Sequence, residues 1–219
     1  MGKNELKQAQ SRKRFFIDRK TSSKERHKIV IWAAENNYNT LVFSLNDKFF
    51  KRRNDRADYV KQIKRYAFFI EAGGRDFSLL LPSRLFLFHR DLFRMELGKR
   101  KAKPHFCPTN PETTSRIIEQ ARYLFSRVMA GITAPRVFHL LPDEGHENTW
   151  CACPACRAFT PAEQNLIAVN SAADALAGLD PDAWLSFPDF DADELKGIAP
   201  RGNMFRLSPP AGQQNQPQE

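Results

Sequence analysis

The chain has 219 residues, of which 42% are hydrophobic and 11% aromatic, so it is long and apolar enough to fold around one core. This composition excludes an intrinsically disordered protein. No apolar run approaches the ~20 residues of a membrane span. Residues 1–14 also lack the hydrophobic segment of a signal peptide. We therefore expect a cytoplasmic protein that does not enter a membrane.

The formal net charge is +9, which is typical of proteins that bind nucleic acid or another anionic surface. The basic residues are concentrated in segments 3–28, 48–56 and 94–103, and these segments lack the repeated aromatic residues of a base-stacking surface. We interpret them as solvated faces and a polar leader. Nucleic-acid binding is therefore the minority interpretation.

The first part of the chain alternates short apolar runs with helical patterns. Ser22 and Glu25 have the spacing of a capping box, and Gly73 with Gly74 is typical of a helix end. Strands are predicted at 14–18, 39–45 and 76–81, and helices at 21–38 and 57–72.

The second part begins with a long irregular segment at 83–113, and segments of this length are usually functional. Thr113 or Thr114 is predicted to cap one helix and Thr160 another. Strands are predicted at 136–141, 183–187 and 203–207.

The polar residues 1–12 are expected to be a disordered basic leader, and residues 208–219 a disordered tail. The intervening residues 13–207 are predicted to form one domain.

Strands that alternate with helices predict a parallel sheet with right-handed crossovers. No glycine-rich nucleotide loop follows any strand, which argues against a doubly wound sheet that binds a nucleotide. The predicted fold is therefore α/β and TIM-barrel-like. Because a full barrel needs about 250 residues, we expect an incomplete one with about strands 1–6. Either the chain is a truncated piece of a barrel protein, or a second chain completes the unpaired edges.

Asp143 and Glu144 directly follow the strand predicted at 136–141, and they are the candidate catalytic residues. Two close carboxylates can raise the pKa of one of them, which then acts as a general acid. The alternative is a solvated acidic loop.

Further residues are candidates for substrate binding at the same end of the sheet. Asp47 follows the second predicted strand, and His89 and Asp91 follow the third. Trp150 could stack on a sugar face, or it could belong to the core.

The cysteines suggest a metal. Cys151, Cys153 and Cys156 are close enough in sequence to share one tetrahedral Zn²⁺, with Cys107, His146 or His105 as the fourth ligand. Four protein ligands leave no position for water, so such a zinc would be structural and no cofactor is expected for catalysis. The alternatives are a redox-active C-x-x-C pair, a disulfide, or thiols that are simply buried.

The segment His139-Leu-Leu-Pro-Asp-Glu-Gly145 resembles the His-x-Gly-Gly-Asp-Glu segment of the family 20 glycoside hydrolases, the β-N-acetylhexosaminidases. The wider passage 107–157 resembles a bacterial family with a domain of unknown function, related to the hexosaminidase and α-glucuronidase barrels. The resemblance covers roughly residues 14–190. It implies a barrel hydrolase of carbohydrate metabolism whose ligand is a carbohydrate.

The resemblance also implies roles for particular residues. Glu144 would be the general acid/base, Asp143 would orient the 2-acetamido group that serves as nucleophile, and His139 would lie beside the substrate. Leu141 and Pro142 stand where the family has two glycines, so amino-sugar and uronic-acid glycosides both stay open. One alternative is a non-catalytic carbohydrate-binding or scaffold protein of the same barrel. Another is a zinc-stabilised basic module that binds nucleic acid.

Overall fold

The structure is a computed structural model that describes residues 3–18, 20–50, 57–131 and 135–207. The predicted tail at 208–219 and most of the basic segment 48–56 lie outside these residues. The helices are α1 (Lys3–Gln10), α2 (Ser23–Glu35), α3 (Ala57–Arg65), α4 (Pro111–Met129) and α5 (Pro161–Ala177). The strands are β1 (Arg14–Ile17), β2 (Thr40–Phe43), β3 (Phe69–Gly74), β4 (Met95–Glu96), β5 (Lys99–Arg100), β6 (Val137–Leu140), β7 (Trp184–Pro188) and β8 (Met204–Leu207).

Six strands form one parallel sheet in the order β1-β2-β3-β6-β7-β8. Each strand lies beside its predecessor in this sheet, without the reversal of order that marks a doubly wound sheet. The predicted α/β, TIM-barrel-like fold is therefore confirmed. Within the described residues β1 and β8 are the two edges, so the barrel is not closed there. A second chain that completes it stays a prediction.

One face of the sheet carries the main core. Alternate strand residues such as Phe15 and Ile17, or Phe138 and Leu140, are buried in one cluster with the apolar sides of α2, α4 and α5. The contact between Phe125 of α4 and Phe138 of β6 is typical, with ring centroids 4.9 Å apart. The helices therefore cover the outer face of the curved sheet, as in a barrel.

The opposite, inner face is filled by side chains and by α1. Ala9 of α1 packs with Val137 and Phe205 in a smaller cluster. The guanidinium of Arg14 on β1 lies 5.9 Å from the ring centroid of Phe205 on β8, although these strands are opposite edges of the sheet. The sheet is therefore curled tightly enough for its two edges to approach each other.

The third strand lies earlier than the sequence predicts. Helix α3 ends at Arg65, and β3 occupies 69–74, where the sequence predicts the end of a helix. The apolar residues 76–81 form a turn with a short 3-10 helix instead of a strand. The strand is fixed by its pairing with β2 and β6, and Gly73 lies so close to His139 of β6 that no side chain fits between the strands.

The starts of α2 and α5 agree with the predictions, whereas the cap of α4 and the structure of residues 3–10 do not. The capping boxes at Ser22 and Thr160 are both present. Asn110, and not Thr113 or Thr114, caps α4 through its side-chain oxygen. Lys3–Gln10 form a helix where a disordered leader is expected.

Within the described residues, no helix is long and apolar enough to cross a membrane. A cytoplasmic location stays a prediction.

Candidate functional site

A cleft of about 280 Å³ opens beside the carboxyl ends of β3 and β6. Three segments line it, namely the turn after β3, residues 102–106, and the loop after β6. They contribute the polar side chains of Ser78, Lys103 and Asp143. Ligand sites of parallel β/α folds are found at this end of the sheet. We therefore take the cleft as the candidate site.

The structure places the two predicted catalytic carboxylates differently. Asp143 is half-buried and lines the cleft, whereas Glu144 is exposed and is not among the lining residues. The start of their loop is tied to β3, because the backbone N–H of Leu141 donates to the carbonyl of Gly74 at 2.8 Å. The loop therefore presents Asp143 inward and Glu144 to solvent.

His105 is the most constrained residue of the cleft. Its side chain is buried, its ring stacks on Trp150 with centroids 4.6 Å apart, and its Nε2 lies 2.9 Å from the carbonyl oxygen of His146. Because a carbonyl only accepts, Nε2 carries the proton. Burial lowers the pKa of His105 to about 4, so the ring is neutral near pH 7. Its Nδ1 is a buried acceptor without a hydrogen-bond partner in the described part of the chain.

His139 is not among the residues that line the cleft, so its role beside the substrate stays a prediction. It is fully buried on the inner face, where its Nε2 donates to Glu71 Oε2 at 2.7 Å and its Nδ1 accepts from Ser186 Oγ at 2.6 Å. Burial, together with the positive charges of Arg14 and Arg12, lowers the pKa of His139 and keeps it neutral. Both ring nitrogens are therefore occupied within the protein.

Asp47 is also committed to the fold. It is 1% exposed, and its two oxygens accept from Arg26 Nη1 and Nη2, each at 2.7 Å. Asp47 Oδ1 accepts in addition from the backbone N–H of Phe49. Its carboxylate is satisfied by its own chain, and its role in substrate binding stays a prediction.

The remaining predicted substrate-binding residues, His89, Asp91 and Trp150, do not line the cleft. Asp91 accepts from the Asn110 side chain at 3.1 Å, and His89 Nδ1 lies 3.8 Å from a carboxylate oxygen of Glu112, so both brace the start of α4. Trp150 is buried against His105 and its Nε1 donates to a backbone carbonyl. It supports the wall of the cleft and presents no free face to a sugar.

The four cysteines come together as the sequence predicts. We call Cys107, Cys151, Cys153 and Cys156 the cysteine cluster. All four are buried, all are free thiols, and their sulfurs lie within 4.8 Å of one another. Cys107 Sγ is 3.7 Å from both Cys153 Sγ and Cys156 Sγ, which is far from the ~2.05 Å of a disulfide. The arrangement is compatible with a structural metal site, and it selects Cys107 over the two histidines as the fourth member.

Polar groups surround the cysteine cluster. The backbone N–H of Met95 donates to Cys151 Sγ at 3.2 Å, and the hydroxyl of Thr109 lies 3.0 Å from Cys156 Sγ. Arg100 Nη1 is 3.9 Å from Cys151 Sγ. Hydrogen bonds from the neighbouring thiols of Cys151 and Cys156 lower the pKa of Cys107, and the same contacts with Cys107 raise the pKa of Cys151 and of Cys156. The four sulfurs by themselves therefore favour one thiolate, at Cys107.

Sequence reasoning missed a second group of polar residues, which we call the inner-face network: Arg12, Arg14, Glu71, His139 and Ser186. Glu71 accepts from Arg14 Nε at 2.6 Å, from Arg12 Nη1 at 2.8 Å and from His139. The signal for this network in the sequence was the presence of single polar residues within otherwise apolar strands. Ser186, His139 and Glu71 are hydrogen-bonded in the serine–histidine–carboxylate order of a catalytic triad. Their side chains are fully buried, so we infer that the network stabilises the fold.

No protein-family model matches the chain, and no curated protein matches it. Among solved structures, it is similar to a GH20 catalytic module of the pneumococcal exo-β-D-N-acetylglucosaminidase StrH, with a TM-score of 0.61 and 10% identity over 93% of this chain and 60% of that chain. The GH36 α-galactosidase AgaA from Geobacillus stearothermophilus gives a TM-score of 0.43 and 12% identity over 75% of this chain and 25% of that chain.

The chain therefore spans 60% of the StrH module and a quarter of the α-galactosidase. At these identities the similarity concerns the fold. The similarity to the StrH module shows that the curled sheet and its helices share the fold of that module.

Proposed function

We propose that this protein binds and hydrolyses glycosides, with Glu144 as general acid/base and Asp143 as the residue that orients the substrate. The observation that carries the proposal is the position of Asp143 in the cleft beside the carboxyl ends of β3 and β6. Barrel enzymes hold their catalytic residues at this end of the sheet. The fold similarity to StrH, an exo-β-D-N-acetylglucosaminidase, supports a sugar as the ligand.

The cleft has both kinds of surface that a sugar ring needs. Ala102 and Pro104 line the cleft with partly exposed side chains and offer apolar contact to the C–H faces of a ring, while Ser78, Lys103 and Asp143 offer hydrogen-bonding groups to its hydroxyls. The cleft volume of about 280 Å³ is near the lower end of ligand pockets, about 300 Å³. One ring, and not a chain of rings, is the expected occupant.

The exposure of Glu144 determines how the substrate would lie. A general acid must come within hydrogen-bond reach of the leaving oxygen. Since Asp143 lines the cleft and Glu144 faces solvent, the glycosidic bond would lie at the cleft mouth, with the sugar inside and the leaving group outside. This orientation corresponds to hydrolysis of a terminal sugar.

Glu144→Gln should lower kcat by about 10²–10⁴ on an aryl N-acetylglucosaminide or an aryl glucuronide, because a positioned proton donor contributes this much. Asp143→Asn should lower kcat on the same substrate. The matched control is Glu147→Gln in the same loop, since Glu147 is exposed and paired with Arg75 at 2.7 Å. We expect the control to hydrolyse at the rate of the unmodified protein. Hydrolysis by the unmodified protein no faster than by Glu144→Gln would refute the enzymatic proposal.

A second candidate function is carbohydrate binding without hydrolysis. Two observations favour it. Glu144 does not line the cleft, and His139 is buried on the inner face although the hexosaminidase motif places it near the substrate. Calorimetric titration with N-acetylglucosamine and with glucuronic acid separates the two functions. Binding that is weakened by Asp143→Asn, unchanged by Glu144→Gln and accompanied by no turnover would establish the second.

We also infer that the cysteine cluster binds one structural Zn²⁺. For a Zn–S bond of about 2.3 Å, a tetrahedron of sulfurs has edges of about 3.8 Å. The distances of 3.7 Å from Cys107 Sγ to two other sulfurs match such an edge. The N–H of Met95 and the hydroxyl of Thr109 supply the outer hydrogen bonds that orient thiolate ligands. With four sulfur ligands the metal would have no open position for catalysis.

The purified protein should contain about one zinc per chain. Cys153→Ser should bring the content below about half of that value, because it removes one of four ligands. His146→Ala is the control that tests the alternative ligand set, and we expect it to retain the zinc. Elemental analysis after gel filtration measures all three proteins. Zinc that is absent from the unmodified protein, or lost in His146→Ala, would contradict a four-cysteine site.

A further inference from the structure

We infer that metal in the cysteine cluster holds one wall of the cleft in place, so that loss of the metal opens the cleft. The inference rests on the zinc site proposed above. Two residues of the cysteine cluster directly follow residues of the cleft wall in the chain. Phe106 lines the cleft and is followed by Cys107, while Trp150 stacks on the cleft residue His105 and is followed by Cys151.

The wall has little regular structure of its own. Residues 93–107 contain the hairpin of β4 and β5, with two residues in each strand, and a single bridge between Phe93 and Phe106. A two-stranded hairpin is only marginally stable by itself in water. The wall therefore depends on contacts with other parts of the chain.

Several of those contacts converge on the cysteine cluster. The backbone of Met95 donates to Cys151 Sγ at 3.2 Å and accepts from the N–H of Ala152 at 2.8 Å. Cys107 belongs to the wall and lies 46 positions before Cys153. A metal that joins them closes a long loop, which is the kind of cross-link that restricts the chain most.

The backbone of His105 has a conformation that this residue would rarely adopt in the absence of the surrounding structure. Its φ of +60° lies in the left-handed region, which side-chain-bearing residues rarely adopt. Such a conformation persists only where the surrounding structure fixes it. Cys107 is two residues away and Trp150 is stacked on the ring, so the cluster anchors both supports of His105. Without the metal, His105 is expected to relax and leave the cleft.

Hydrogen exchange measured by mass spectrometry tests the inference in the 219-residue chain without any sugar. Removing zinc with a chelator should raise exchange in peptides that cover 93–107 by roughly tenfold or more. Exchange in α2 should stay unchanged, because this helix packs on the edge strand β1, where the rings of Trp32 and Phe15 have centroids 5.4 Å apart. Readdition of Zn²⁺ should restore protection.

Two variants locate the effect. Cys153→Ser removes a ligand from the segment opposite the wall, so increased exchange in 102–107 would show that the support passes through the cysteine cluster. Glu147→Gln in the neighbouring loop should leave both zinc content and exchange unchanged. Zinc that binds while its removal leaves 93–107 protected would overturn the inference and leave the zinc site standing. Increased exchange in α2 to the same extent would also overturn it, because the metal would then support the whole fold.

Discussion

Replacing Glu71 with glutamine should lower the free energy of unfolding by about 3–5 kcal/mol, the cost of breaking a buried ion pair by removing one partner. Glu71 is fully buried on the inner face of the sheet and accepts hydrogen bonds from Arg14, Arg12 and His139. Glutamine keeps the size of the side chain and removes its charge. The guanidinium of Arg14 would then stay buried without an anion.

The inner-face network has no substitute for this carboxylate. Besides Glu71, Arg14 donates to the carbonyl oxygens of Arg12 and Ala9, and these are neutral acceptors. Its side chain is 4% exposed, so water cannot replace the lost partner. The substitution therefore weakens the hydrogen bonds by which Glu71 joins β3 to β1 and β6 on the inner face of the sheet.

Asp174→Asn is the matched control. Asp174 accepts from Arg201 at two distances of 2.9 Å, so the pair has equally good geometry, but the two side chains are 48% and 53% exposed. An exposed pair of this kind contributes at most about 1 kcal/mol. Urea unfolding of both variants gives the comparison. Equal losses in the two variants would mean that burial adds nothing to the Glu71 interaction.

The same residue predicts a dependence on pH. Burial alone would raise the pKa of Glu71, but the hydrogen bond from His139 and the charge of Arg14 outweigh it and lower the pKa to about 2, from 4.5 in the unfolded chain. A carboxyl whose pKa is lower in the folded state stabilises the fold above the unfolded pKa. This stability is complete above about pH 4.5 and is lost as pH falls toward 2. Glu71→Gln should therefore show a shallower loss of stability over that interval than the unmodified protein.

Local interactions explain which parts of the fold could be predicted. The starts of α2 and α5 are fixed by capping boxes within three residues, at Ser22 and Thr160. Strand β3 was misplaced because 69–74 and 76–81 are both apolar. The choice between them depends on pairing with β2 and β6, which no nearby residue reveals.

In the candidate site, too, contacts between residues close in sequence could be predicted and contacts between distant residues could not. Three cysteines lie within six residues, so their proximity is readable, whereas the choice of Cys107 over His105 and His146 needs the fold. The inner-face network joins Glu71 to residues 57 and 68 positions away in sequence. Contacts between residues so far apart in sequence are set by the order of the strands in the sheet. The sequence alone therefore predicted His139 beside the substrate and predicted no role for Glu71.

Gly73→Ala should be more damaging than any surface substitution, with an expected cost of about 4 kcal/mol or more, or failure to fold. A Cβ at this position would lie 2.0 Å from the carbonyl oxygen of His139 and within 2.8 Å of two further backbone atoms of that residue. The φ of +115° adds strain for any residue with a side chain. Backbone atoms on the neighbouring strand cannot rotate away as a side chain could.

Gly98→Ala separates the cost of the steric clash from the cost of the backbone strain. Gly98 also has a positive φ, +74°, but nothing lies within 4 Å of the added Cβ. It should cost only the backbone strain, about 1–2 kcal/mol. Urea unfolding and soluble yield compare the two variants. A Gly73→Ala protein as stable as Gly98→Ala would show that β3 and β6 can separate without penalty. If it is far less stable, the close approach of these strands is what brings His139 to Glu71 and sets the two loops that line the cleft beside each other.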